Sequence, residues 1–171
     1  SEIFNAGTSL NYSKNEYSNS QLGGGNVEAS GIISSAARWA PNLPVFDENG
    51  DYNLNPGFPT VPNPVSLLTI SDLTNKDRLL ASGYIESEPL KDLIFKVQGG
   101  MDRKFQKRKS YLPTTTLYGY EVNGDANIYE SNHTDYLMDF TISYLKNLKD
   151  HSINALAGYS YQKFQSERLH A

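Results

Sequence analysis

The residues with chemical potential in this sequence are carboxylates, histidines and one cluster of cations, and their spacing argues against catalysis. Asp135 and Asp139 fall on one face of an alternating stretch. Two pleats put them roughly 13 Å apart, beyond the roughly 5 to 9.5 Å over which paired carboxyl groups act on a glycosidic bond. His133, His151 and His170 are scattered, without the short paired spacing of a metal site or the partners of a triad. No nucleophile elbow, phosphate-cradling glycine loop or dinucleotide fingerprint is present. No residue is therefore assigned as catalytic, cofactor-binding or metal-ligating, the substrate-binding residues stay unassigned, no cofactor is expected, and the chain is not expected to be an enzyme.

Two clusters could still bind something. Asp47, Asn49 and Asp51 around Gly50 form half a calcium loop, but the twelfth position, where a bidentate glutamate belongs, is Phe58. Ordinary turn chemistry explains the cluster, and Asn49-Gly50 predicts a type I′ hairpin turn. The run from Arg103 to Lys109 holds five basic residues in seven. It reads either as a solvated strand end or as a contact for phosphates of an outer-leaflet lipid. The triplets Asn11-Tyr12-Ser13 and Asn132-His133-Thr134 match the glycosylation sequon by chance.

Composition narrows the partners. The 171 residues carry a formal charge of -4 and contain no cysteine. The acidic balance argues against nucleic acid, which demands a broad basic surface. Cysteine chemistry and disulfides are excluded, and the redox compartment stays open. Mean hydropathy is -0.53 although 12% of residues are aromatic. No apolar run is long enough for a membrane helix. The strands of a membrane barrel, however, alternate apolar and polar residues and can have the hydropathy of a soluble protein.

Periodicity supplies the elements that must position these groups. From Thr134 to Tyr144, the residues Tyr136, Met138, Phe140, Ile142 and Tyr144 share one face, and only Leu137 breaks the pattern. Ile153, Ala155, Ala157, Tyr159 and Tyr161 repeat it, with Leu156 as the exception, and a hairpin through Asn147 to Asp150 joins the two. Leu93, Phe95, Val97 and Met101, and upstream Phe4, Ala6, Leu10 and Tyr12, alternate in the same way. Arg78 to Glu88 has strand propensity but poor alternation, which leaves its facing open. The expected fold is an all-β antiparallel meander of about five strands, near 2–13, 78–88, 92–103, 134–145 and 152–163, within a single unit spanning 1–171.

The connections alternate between long and short. Long loops are expected at 14–77 and 105–133, and short turns near Glu88 to Lys91 and Asn147 to Asp150. Compact domains rarely tolerate such long connections, whereas outer-membrane barrels put short turns on the periplasmic side and long loops outside. The first long loop opens with a polar run containing Gly23-Gly24-Gly25. A short helix is expected from about Glu28 to Trp39, with Ile32, Ala36 and Trp39 at helical spacing and Pro41 as its stop. Asn63-Pro64 reads as the cap and first position of a second helix carrying Val65, Leu67, Leu68 and Ile70.

The ordered segments Ala40-Pro41-Asn42-Leu43-Pro44-Val45-Phe46-Asp47-Glu48-Asn49-Gly50-Asp51-Tyr52, Asn63-Pro64-Val65-Ser66-Leu67-Leu68, Leu90-Lys91-Asp92-Leu93-Ile94-Phe95-Lys96-Val97 and Ala157-Gly158-Tyr159-Ser160-Tyr161-Gln162 resemble the mid-barrel region of SusC/RagA-type TonB-dependent outer-membrane transporters. The resemblance covers nearly the whole chain. It implies a piece of a 22-stranded barrel from a nutrient importer in the outer membrane of a Gram-negative cell. It also implies that the full-length parent works with TonB and a SusD-type surface lipoprotein to take up an oligosaccharide or a peptide. Plug, TonB box, signal peptide and terminal aromatic strand are missing from the pattern, so the chain reads as a fragment.

The alternative is a soluble carbohydrate-binding or adhesin-like β domain whose apolar faces pack on each other. On the barrel reading, Phe4, Leu10, Tyr12, Phe95, Val97, Met101, Tyr136, Met138, Phe140, Ile142, Tyr144, Ile153, Tyr159 and Tyr161 make one face for outer-membrane lipid. Without lipid the fragment is expected to self-associate.

Overall fold

The computed structural model describes residues 4–19, 31–55, 57–58 and 60–171. The chain runs β1 (Phe4–Ser18), α1 (Gly31–Arg38), a 3-10 turn (Ser66–Thr69), β2 (Ser71–Leu90), β3 (Leu93–Leu112), α2 (Leu117–Glu121), β4 (Asp125–Leu148) and β5 (His151–His170). The strands pair in chain order in one five-stranded antiparallel sheet, the expected meander. Residues 91–92 join β2 to β3, with Asp92 at φ 71° and its N–H donating to the Glu88 carboxylate at 3.0 Å. Residues 149–150 join β4 to β5, with Lys149 at φ 45°.

Every strand is longer than its apolar alternation. β1 runs to Ser18 rather than 13, β2 starts at Ser71 rather than 78, β3 continues to Leu112 and β4 begins at Asp125. The long connections shrink to 19–70 and 113–124 as a result. Alternation reports which residues leave water, whereas extension needs only a neighbour to hydrogen-bond. Past the apolar stretch, polar side-chain pairs such as Asp72 with Arg108 and Lys107 with Glu130 join the same strands.

Those pairs also settle the facing of β2. Arg78 reaches Asp102, and Lys96 sits 4.9 Å from the ring centre of Tyr84, so the even positions of β2 and β3 share the polar face. Leu79, Ala81 and Ile85 then lie with Phe95, Val97 and Met101 on the apolar face. Phe140 and Tyr159 stack on that face with ring centres 6.5 Å apart.

The chain folds as two units. The sheet unit comprises residues 1–15, 76–106 and 131–168, and the loop unit comprises 16–75, 107–130 and 169–171. In the loop unit α1 packs on the 3-10 turn. Its buried positions are Gly31 and Ser35, while Ala36 is exposed. The buried stripe thus falls one residue before the expected one through Ile32 and Ala36. Residues 28–30 of that expected helix and Gly23-Gly24-Gly25 lie outside the described residues. Pro41 lies three residues beyond the end of α1, where the Trp39 indole N–H donates to the Leu43 carbonyl at 3.1 Å.

Candidate functional site

Asn63 organises the loop unit. It is fully buried, and its amide donates to the carbonyls of Val45 at 2.7 Å and Asn53 at 3.2 Å. Its carbonyl accepts from the N–H of Val65 at 3.0 Å and of Ser66 at 3.4 Å. The expected capping role is therefore real, but the element that Asn63 introduces is a four-residue 3-10 turn and not an α-helix. The amide also fastens the hairpin strands on both sides of Phe46 and Tyr52, which form an antiparallel bridge.

That hairpin differs from the expected type. Asn49 is absent from the residues with positive φ, and only Gly50 adopts it, at 87°. A type I′ turn needs both. One Asp47 carboxylate oxygen accepts from the N–H of Asn49 at 2.9 Å and of Asp51 at 3.0 Å, and the Asp47 carbonyl accepts from Gly50 N–H at 3.1 Å. The carboxylate thus builds a three-residue loop closed by a left-handed glycine, as aspartate does in turns.

Beside the hairpin the loop unit has a concavity of about 900 Å³. The rings of Tyr52, Phe58 and Tyr120 and the carboxylates of Asp47 and Asp51 line it. Phe58 and Tyr120 are 70% and 66% exposed, so the walls are rings open to solvent. On the sheet unit's polar face lies a smaller depression of about 390 Å³, with Gly7, Ser82, Gly100, Gln98 and Leu137 in its lining. The Tyr84 ring overhangs Gly7, where a β-carbon would come within 2.5 Å of it.

Electrostatically the polar face is a ladder of pairs. Arg78 and Lys104 both engage Asp102, at 2.8 and 3.0 Å, and Lys96 stands 4.0 Å from Glu86. Asp139 accepts from Gln98 at 3.0 Å and from the Ser160 hydroxyl. In the loop unit, buried Asp72 accepts from the Arg108 guanidinium at 2.8 and 2.5 Å and from Asn19 at 3.1 Å. The Arg108 guanidinium holds its carboxyl below the usual carboxylate range, against the opposing pull of burial.

The groups singled out in the sequence are dispersed by the fold. Asp139 is engaged by Gln98 and Ser160, and Asp135 lies 3.0 Å from His133. His151 and His170 stand at opposite ends of β5. The basic run divides: Lys104, Lys107 and Arg108 each pair with a carboxylate, while Arg103 and Lys109 stay exposed. Of the two readings of the run, a solvated strand end or a phosphate contact, pairing of those three groups with carboxylates fits the first better. The ladder itself escaped the sequence reading, because most cross-strand partners are 20 or more positions apart. Its signal was present as Arg78, Glu86, Lys96 and Asp102, all at even positions.

No family model matches the chain. TonB-dependent receptor P3 of Formosa agariphila is 36% identical over 146 residues, which cover 85% of this chain and 14% of the relative. TonB-dependent receptor P26 of the same organism is 27% identical over 176 residues, covering 98% of this chain and 17% of the relative. Among solved structures, that of the RagAB peptide transporter superimposes with a TM-score of 0.71 at 19% identity, over 100% of this chain and 20% of that one. The RagAB peptide importer in its "open-open" state gives 0.65 at 20% identity, over 100% of this chain and 19% of that one. The chain thus spans less than a fifth of each curated relative. The matched proteins are receptors and transporters rather than enzymes, in keeping with a non-enzymatic role. In sequence the chain is similar to stretches of two TonB-dependent receptors, and in fold to a stretch of the RagAB transporter.

Proposed function

We propose that this chain is a stretch of barrel wall, with its outer loops, from a TonB-dependent nutrient importer of the outer membrane. One observation carries the reading: a five-stranded meander with an apolar face and a paired polar face, in which two-residue turns alternate with long connections. A wall with lipid on one side and a polar lumen on the other has those properties. The parent closes such strands into a barrel of the 22-stranded kind and spans 1–171 as part of it. It draws energy through TonB and works with a SusD-type lipoprotein to import an oligosaccharide or a peptide.

The chain has no cysteine, so single cysteines report cleanly on the two faces. In the full-length protein in native membranes, a cysteine at Asp139, Thr141 or Ser160 should react with a membrane-impermeant maleimide once the lumen is accessible. Cysteines at Phe140, Ile142 or Tyr159 should react only with a lipid-soluble reagent. Equal labelling of both sets by the impermeant reagent, with the protein recovered in the soluble fraction, would favour the soluble β domain.

A further inference from the structure

Around its concavity the loop unit buries amides and hydroxyls and leaves rings exposed. Asn63, Ser66 and Thr116 are fully buried, while Phe58 and Tyr120 stand open on the walls of the hollow. An aromatic side chain can bury about 150 to 250 Å², so these rings hold apolar surface that the loop unit itself does not cover. The volume of about 900 Å³ lies at the upper end of the range for ligand sites, about 300 to 1,000 Å³.

Each ring is held in place from behind. Asn63 fastens the hairpin that carries Tyr52, and the Tyr52 ring is backed by Phe46, with 5.1 Å between centres. The Phe58 N–H donates to the Asn55 carbonyl at 3.0 Å, and the buried Asn55 amide donates in turn to the Val61 carbonyl at 3.3 Å. Tyr120 sits in α2, where its N–H donates to the Thr116 carbonyl at 2.9 Å and the Thr116 hydroxyl accepts from Gly119 N–H at 3.2 Å. Walls ordered in advance lose little conformational entropy when a ligand arrives.

Charge decides which ligand fits. Among the described residues, Asp47 and Asp51 are the charged groups of the lining, and neither has an ion-pair partner. One Asp47 oxygen is committed to the turn, and Asp51 is exposed. A sulfated or uronate sugar meets repulsion here, and a neutral sugar uses the rings but leaves both carboxylates without a counter-charge. A lysine or arginine side chain uses both, with its stem along a ring and its head between ring and carboxylate. We propose that the concavity binds a lysine or arginine side chain of a peptide, with Tyr52, Phe58 and Tyr120 as its walls and Asp47 and Asp51 as its counter-charge. The proposal rests on the importer reading and deepens it, by choosing a cationic peptide as the substrate.

Calorimetric titration of the full-length protein in an uncharged detergent tests the site, with trilysine, triglutamate, trialanine and the neutral trimer of N-acetylglucosamine as probes. Trilysine should bind about tenfold more tightly than trialanine or the sugar, and triglutamate should give no binding heat. Phe58→Ala combined with Tyr120→Ala should weaken trilysine about tenfold, and Asp51→Asn about threefold with a shallower dependence on salt. Tyr120→Phe keeps the ring and should keep the affinity, as should Asp150→Asn in the turn between β4 and β5. Should the double variant not fold, Asp51→Asn and Tyr120→Phe carry the comparison. Trialanine or the sugar binding as tightly as trilysine, or a trilysine affinity that no substitution changes, would overturn the site. Binding needs no transport, so that failure leaves the maleimide labelling of the two faces as it was. Equal labelling of the faces would instead remove the importer and leave the titration standing.

Discussion

The two units of this chain hold themselves together by opposite means. Among the described residues, every buried one belongs to the loop unit, with Leu67 and Leu117 on the apolar side and Ser35, Asn55, Asn63, Ser66, Asp72, Thr74 and Thr116 on the polar side. The sheet unit instead leaves Phe4, Leu10, Tyr12 and Tyr159 each at least 60% exposed. Buried polar groups are tolerable only when hydrogen-bonded, and in the loop unit Asn63 and Asp72 meet that condition with several partners each. The loops therefore carry their own order. The sheet's apolar face is left open.

The sharpest way to break the contrast is to put a charge on each face of the sheet. On the wall reading, Phe140→Arg should destabilise the full-length protein in bilayers by about 2 to 4 kcal/mol, the cost of arginine on a lipid face near the midplane. Thr141→Arg, one residue on and facing the other way, should cost far less. Unfolding in lipid vesicles measures both, and similar losses for the pair would remove the distinction between faces.

Within the loop unit, Asn63→Ala strands the carbonyls of Val45 and Asn53 and the N–H groups of Val65 and Ser66. We expect a local loss of about 2 to 3 kcal/mol, at 1 to 3 kcal/mol for each buried group left unsatisfied and not re-solvated. Hydrogen exchange should show faster opening across 45–66 with β4 and β5 unchanged. Matching losses in the strands would show the units to be one cooperative body.

Arg108→Ala leaves Asp72, which is 1% exposed, without its guanidinium, and should cost the loop unit about 1 to 3 kcal/mol at neutral pH. In the native chain the folded Asp72 carboxyl titrates below its unfolded counterpart, with the Arg108 hydrogen bonds as the first cause. The stability it confers is therefore complete above the unfolded value of about 3.9 and is lost as pH falls through the lower folded value. Proteolysis of the loop unit between neutral and strongly acid pH should show this loss, and Arg108→Ala should flatten it. The smallest effect belongs to the turn, where Lys146 bonds Asp92 at 3.0 Å with both side chains partly exposed. Lys146→Ala should change stability by less than about 1 kcal/mol, as chemical denaturation would show.

The meander was legible because period-2 alternation survives any context that leaves one face apolar. Thr134 to Tyr144 and Ile153 to Tyr161 gave both their strands and their hairpin. What escaped was whatever alternation does not encode. The polar ends of β1, β2 and β3 pair without burying apolar groups, and the weakly alternating Arg78 to Glu88 needed its partners on β3 before its faces could be told apart. The Asn49-Gly50 signal located a turn but not its type, since the Asp47 carboxylate determined the backbone there.

By itself, then, the sequence determined the strand order, the apolar face and the absence of catalytic spacing, because each depends on residues close together along the chain. Tertiary structure alone decided which charges pair and which remain unpaired. Asp72 meets Arg108 and Asp102 meets Arg78 across neighbouring strands, while among the described residues Lys14, Arg103 and Lys163 meet no carboxylate. Strand register sets those partnerships, and a shift of one residue would send every side chain to the other face.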